Sequence, residues 1–272
     1  MQNKVIIQPR KNFLALPIKE LIAYKDLFWV LALRDIKVKY AQTYLGIVWT
    51  ILQPISTLVI LVLIFGVAVK VDTGNIPYPL FTICGMSAWS YFSSVLSQSG
   101  NSIISQQNMI KKIYFPRMII PLSKAVSGFI DFGVTLIFIF ALMIYYQFIP
   151  PSQIVFLPLF FGLNILLALS VGIWLSALTV RFRDFQHIIP FIVQLGLYAT
   201  PVAYPSHLIP EKYRAIYFIN PMVGVIEGFR WTLINGTPPN SYSFISFGII
   251  ILLFISSLFY FNKVEENMAD IV

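Results

Sequence analysis

Charge is what this sequence has least of. Of 272 residues only 11% are charged, 58% are hydrophobic and the mean hydropathy is +0.79; a water-soluble domain needs about a quarter charged residues. The composition therefore excludes a soluble globular domain and defines an integral membrane protein. Cysteine is nearly absent: a lone Cys84 excludes an internal disulfide framework and a thiolate metal cluster. The two histidines, His187 and His207, lie too far apart for a local metal motif, so no metal site is expected. No Gly-Lys dipeptide occurs, so there is no Walker A loop and the energy for any work must come from elsewhere. Paired carboxylates and a local Ser/His/Asp set are also missing from the apolar tracts, which argues against a membrane enzyme. The first apolar run, 27–33, is too short and lacks the small-residue site of a cleavable signal.

What is present is a series of long apolar tracts. Residues 45–69 run without a charge, enough to cross a hydrocarbon core of about 30 Å, with Gln53 and Pro54 placing a kink. Tract 79–104 is less apolar, rich in Ser and carrying Gly85 and Gly100, which suits close helix packing or a wet face. Tracts 118–148, 154–180, 188–203 and 244–261 follow, the fifth interrupted by Pro190 and Pro201. The expected fold is an all-α integral membrane protein with six spans in a single transmembrane domain over 1–272. A polar, proline-punctuated lead-in occupies 1–17, and 18–40 is expected to be a helix in the membrane interface. There Lys19, Asp26, Arg34 and Lys37 lie on one side and Leu21, Phe28, Trp29 and Ala32 on the other, while Lys25, Asp35 and Lys39 fall off the stripe. Packing of this helix on a soluble partner is the alternative.

Between the second and third tracts lies a cationic island, within an expected cytoplasmic loop over 105–117. It carries Asn108, Met109, Lys111, Lys112, Tyr114, Phe115, Pro116 and Arg117, with no acidic residue. Pro116 and Pro121 limit how far a helix runs through it. With both termini cytoplasmic, only Lys70, Lys212, Arg214 and Arg230 of the 19 basic residues fall outside, as the positive-inside rule requires. That bias accounts for the net charge of +8 without nucleic acid. The island is read either as a partner contact or as an orientation signal alone. The stretch 204–242 has apolar pieces too short to span, broken by Pro210, Asn220, Pro221 and Gly236; two short re-entrant helices on the outer side are expected, with Glu227 and Arg230 pairing at i,i+3.

Only Lys124 and Asp131 are ionisable within the spans. Lys124 is close enough to the cytoplasmic end to snorkel; Asp131 is deeper and meets another helix or water, either as a structural pair or as the lining of a pathway. An ion- or proton-coupled secondary transporter using Asp131 is thus an alternative function, and a glycan-modifying enzyme a weaker one. Tyr145, Tyr146, Phe148, Tyr198 and Tyr204 read as interfacial belts. Trp49, Trp89, Tyr91, Phe92, Trp174 and Tyr198 are either packing or a flat track for sugar rings.

Taken in order, several motifs resemble one family. They are Arg34, Asp35, Ile36 and Lys37 with Tyr40, then Leu45, Gly46 and Trp49 up to Pro54; the island 111–117 through Pro121; and Arg181, Phe182, Arg183 and Asp184. Asn220, Pro221 and the C-terminal Glu265, Ala269 and Asp270 also match, with Met268 where an aromatic is expected. The chain resembles the membrane-spanning subunit of ABC-2-type exporters of polysaccharide, covering O-antigen of lipopolysaccharide, capsule and teichoic acid. The resemblance implies a homodimer in the bacterial inner membrane, associated with two copies of a separate ATPase that binds ATP and Mg. It further implies that the interface helix, through Arg34, Asp35 and Lys37, and the loop after the second span contact that ATPase, and that the dimer forms a channel for a lipid-linked glycan.

Overall fold

In a computed structural model the protein is described over residues 18–40, 44–266 and 268. The lead-in 1–17 and the family-like Ala269 and Asp270 lie outside the described residues. Among the described residues the chain is helical, with no strand. Helix α1 (Ile18–Ala23) and α2 (Lys25–Tyr40) are separated at Tyr24, yet backbone hydrogen bonds from Tyr24 to Glu20 and from Phe28 to Tyr24 carry the chain across the break. Helix α3 (Tyr44–Leu61) contains Pro54 and passes into a π-helical segment, Val62–Ala68. There follow α4 (Tyr78–Gly100), the short α5 (Ser102–Ser105) and α6 (Gln107–Ile110), and α7 (Ile119–Tyr145). A 3₁₀ turn, Ser152–Phe156, leads into α8 (Leu157–Arg181), then α9 (Phe185–Ala199), α10 (Glu211–Tyr217), α11 (Pro221–Ile234) and α12 (Ser243–Glu265).

Four helical stretches are long and apolar enough to cross a membrane: Val48–Ala68, Ile119–Tyr145, Ser152–Arg181 and Ser243–Glu265; Phe185–Ala199 is a shorter apolar helix. The expected second span, 79–104, is not one continuous helix. It stops at Gly100, where the Asn101 side-chain amide donates to the Ser97 carbonyl and satisfies the end of α4 before α5 begins. The serines and glycines that lower the hydropathy of α4 make it the central helix, packed against α7, α8 and α11. At Gly172 of α8 an added Cβ would stand 2.5 Å from Cβ of Ser99, so the two backbones approach to a distance that only small residues allow.

Helix α3 and the π-helical segment after it are largely exposed: Val48, Trp49, Leu52, Val59 and Ile60 of α3 and Leu63 beyond it are open. An apolar surface of this kind is stable against lipid or a further protein chain, not water. The same environment explains why the expected two-sided α2 is not observed. Leu31 and Ala32 are buried against the bundle, but Trp29, Val30, Leu33 and Val38 are all exposed, and Asp35, expected off the polar stripe, turns inward. Helix α2 packs along α7 through a narrow strip and shows both apolar and charged side chains around the rest of its circumference, with Lys25, Asp26, Lys37 and Lys39 exposed beside Trp29, Val30, Leu33 and Val38.

Candidate functional site

The loop 105–117 is anchored at both ends and open in the middle. Ile110 and Phe115, 6% and 3% exposed, are apolar anchors beneath it, and Met118 is fully buried. Between them Lys111, Lys112, Ile113 and Tyr114 project, with Ile113 61% and Tyr114 58% exposed. Asn108 is exposed beside them and Met109 half-buried. Two ammonium groups, a phenol and an aliphatic side chain on one exposed tip offer a partner both charge and apolar contact, the combination typical of a protein-binding patch. Phe115, Pro116 and Arg117, expected among the contacts, have another use here. Phe115 and Pro116 are buried, and Arg117 braces the loop against the C-terminal end of α12. Its backbone N–H donates to Oε1 of Glu265 at 2.8 Å, and its guanidinium donates to the Glu265 carbonyl. A cation at a helix C-terminus also complements the partial charge there.

Helix α2 meets the loop through Arg34, whose guanidinium donates to Oε1 of Gln106 at 3.0 Å and to Oδ1 of the adjacent Asp35 at 3.0 and 3.3 Å. The other carboxylate oxygen of Asp35 is paired with Lys124 of α7. Lys124 therefore does not snorkel: its side chain is 8% exposed, because a carboxylate on the neighbouring helix satisfies the ammonium in place. Further along, Asp131 accepts from Lys39 and, at 2.7 Å, from the Tyr40 hydroxyl. Burial, then the hydrogen bond to Asp131 and its charge, hold the Tyr40 phenol well above its ordinary pKa, so it stays a donor. Lys37 is exposed.

The six aromatic and acidic candidates for a channel wall separate clearly. Trp89, Tyr91 and Phe92 are buried inside the chain: Tyr91 lies edge-on to Phe161, which stacks on Phe132 at 4.0 Å, and its hydroxyl donates to the Ala125 carbonyl at 3.1 Å. These three pack helices together and present no open face to a glycan in this structure. Asp131 is paired with α2. Trp49 and Tyr198 remain on the exposed surface.

In the region 204–242, Asn220 caps α11 by accepting from the Met222 N–H at 3.1 Å, donates to the Ala199 carbonyl, and is followed by Pro221 in the first turn. Asn235, in the left-handed conformation at φ 53°, terminates that helix; its neighbour Gly236, expected as the stop, donates to the Arg230 carbonyl. Glu227 and Arg230 pair at 3.3 Å as an i,i+3 bridge. Sequence reasoning missed how deep that pair lies, with Arg230 1% exposed. It also missed Glu265 as the loop's brace and Lys39 and Tyr40 as partners of Asp131. No local spacing signalled the last, since Lys39 and Tyr40 lie 92 and 91 positions from Asp131.

The family model of ABC-2 type transporters matches residues 26–234. An O-antigen export system permease protein of Klebsiella pneumoniae is 32% identical over 248 residues, covering 91% of this chain and 95% of that protein. One of the same description from Myxococcus xanthus is 27% identical over 258 residues, covering 93% and 98%. A polysialic acid transport protein of Escherichia coli is 24% identical over 247 residues, covering 88% and 94%. The match spans α2 to the end of α11 and so contains both the loop and the α2–α7 contacts; this chain belongs to the ABC-2 type transporter family.

Proposed function

We propose that this chain is the channel-forming membrane subunit of an ABC exporter that moves lipid-linked polysaccharide outward across the bacterial cytoplasmic membrane. It works as a homodimer with two copies of a separate ATPase, which supply the ATP and Mg site that this chain lacks. The observation that carries this reading is the exposed tip Lys111–Tyr114 on a doubly anchored loop, in a chain whose relatives include an O-antigen export system permease protein and a polysialic acid transport protein. A tip held from behind by Phe115 and the Arg117–Glu265 contacts transmits force instead of yielding to it.

In the membrane the six spans are Val48–Ala68, α4, α7, α8, α9 and α12, with both termini and the loop 105–117 cytoplasmic. Helix α4 crosses enclosed by protein, which is why it tolerates its serines. Helix α9, at roughly 22 Å, is shorter than the hydrocarbon core and relies on the following segment to reach the outer face. Helices α10 and α11 form the re-entrant pair, their ends satisfied within the protein as that environment demands. Trp49 and Tyr198 are the remaining aromatic candidates for the channel wall, which a second subunit would complete. The ion-coupled alternative loses its main support because Asp131 is committed to Lys39 and Tyr40.

The test is co-purification. Expressed with its neighbouring genes and captured by a tag on this chain, the protein is expected to bring down a nucleotide-binding subunit in equal molar ratio; capture of the chain alone under mild detergent would count against the reading.

A further inference from the structure

The contacts between α2 and α7 have a pattern that apolar packing alone does not require. Along α2 an acid, Asp35, precedes a base, Lys39; along α7 a base, Lys124, precedes an acid, Asp131. The pairs are Asp35 with Lys124 and Lys39 with Asp131, so the signs cross from one helix to the other. Sliding α2 toward the start of α7 would bring Lys39 toward Lys124, and sliding it the opposite way would bring Asp35 toward Asp131. Either displacement opposes like charges and strands a partly buried partner, and in a low-dielectric setting both are costly. Crossed signs of this kind select one register where apolar ridges alone would tolerate several. Next to the first pair, Arg34 bonds Gln106 in the loop 105–117.

We propose that this crossed-sign ladder fixes α2 in a single register on α7 and that, through Arg34 and Gln106, it makes α2 and the loop move as one body. Asp35, Lys39, Lys124 and Asp131 are then positioning residues for coupling. That last step rests on the functional reading above, whereas the register does not.

The experiment uses the full-length chain in nanodiscs, with amide hydrogen exchange of 25–40 and 105–117 as the readout, and the complete transporter for export per ATP hydrolysed. Lys39→Asp and Asp131→Lys alone are each expected to speed exchange in both segments by about tenfold or more, the scale set by coupling energies of contacting charges. The combined swap K39D/D131K restores the pair, with the Tyr40 hydroxyl accepting from the new lysine, and is expected to return exchange to within about threefold of the parent. Lys39→Met, which removes the charge without opposing another, is the variant to read should a reversal fail to fold, and its expected exchange lies between parent and reversal. A swap no better than either single change, or a loop unaffected when α2 loosens, would overturn the inference. Rescue of exchange in a chain that shows no ATP-driven export would leave the ladder standing and remove the exporter reading.

Discussion

Replacing Arg230 with alanine is expected to destabilise the folded chain by about 3–5 kcal/mol, the scale seen when one partner of a buried ion pair is removed. The side chain is almost fully enclosed. One guanidinium nitrogen donates to Oε1 of Glu227 at 3.3 Å, the other to the Val202 carbonyl at 2.8 Å, and the group lies 3.6 Å over the ring of Phe81. The surroundings are shaped to it: a Cβ at Gly85 would stand 3.0 Å from its terminal nitrogen. Alanine at 230 would leave a cavity between α4, α11 and the segment carrying Val202. It would also leave the Glu227 charge with, among the described residues, only the Thr237 hydroxyl as a hydrogen-bond partner. Lysine is not expected to rescue, because a single ammonium cannot bond Glu227 and Val202 while stacking on Phe81. Arg230→Met combined with Glu227→Gln is expected to recover part of the loss, since it removes both charges and refills the space. Thermal unfolding of the detergent-solubilised protein measures all three; a melting temperature unchanged in Arg230→Ala would refute this account of the packing between α4 and α11.

Reversing both tip charges, Lys111→Glu with Lys112→Glu, is expected to have the largest functional effect with the smallest structural one. Both side chains are exposed, and the anchors beneath them, Ile110 and Phe115, are untouched. Surface changes of this kind alter stability by roughly 0.5 kcal/mol or less. Partner-dependent export should nevertheless fall by about tenfold or more, because repulsion replaces charge complementarity at the proposed ATPase contact. Were the charges only an orientation signal, the remaining cytoplasmic Lys and Arg would preserve topology and the variant would export normally. Export assayed in cells, beside the unfolding temperature of the purified variant, separates the two.

The apolar tracts made the helices legible because hydrocarbon demands length and apolarity, and both are local properties of sequence. The basic interruption at 111–117 was visible for the same reason. The inward face of α2 was not visible: in a membrane protein the outer surface is apolar too, so Trp29 and Val38 carry the same signature as Leu31 and Ala32 and periodicity no longer separates inside from outside. Nor were the ion pairs. Asp35 and Lys124 are 89 positions apart, and Lys39 and Asp131 are 92 apart. Their meeting depends on how α2 is laid along α7, which no local rule specifies. Lys124 reads as a snorkelling charge and Asp131 as one that meets another helix or water; that α2 supplies the partner of both came only with the assembled structure. The serines and glycines of α4 did announce close packing, and Gly172 against Ser99 bears that out. The central position of α4, which buries Trp89, Tyr91 and Phe92 and so removes them from a channel wall, came only with the assembled bundle.

The central claim, that this chain conducts a glycan under the drive of an external ATPase, is tested most directly in inside-out vesicles containing the chain and its partner subunit, loaded with lipid-linked polysaccharide on the outer surface. The account predicts accumulation of the polysaccharide inside the vesicles on adding ATP and Mg, with ion gradients collapsed. Accumulation driven by an ion gradient without ATP would contradict it.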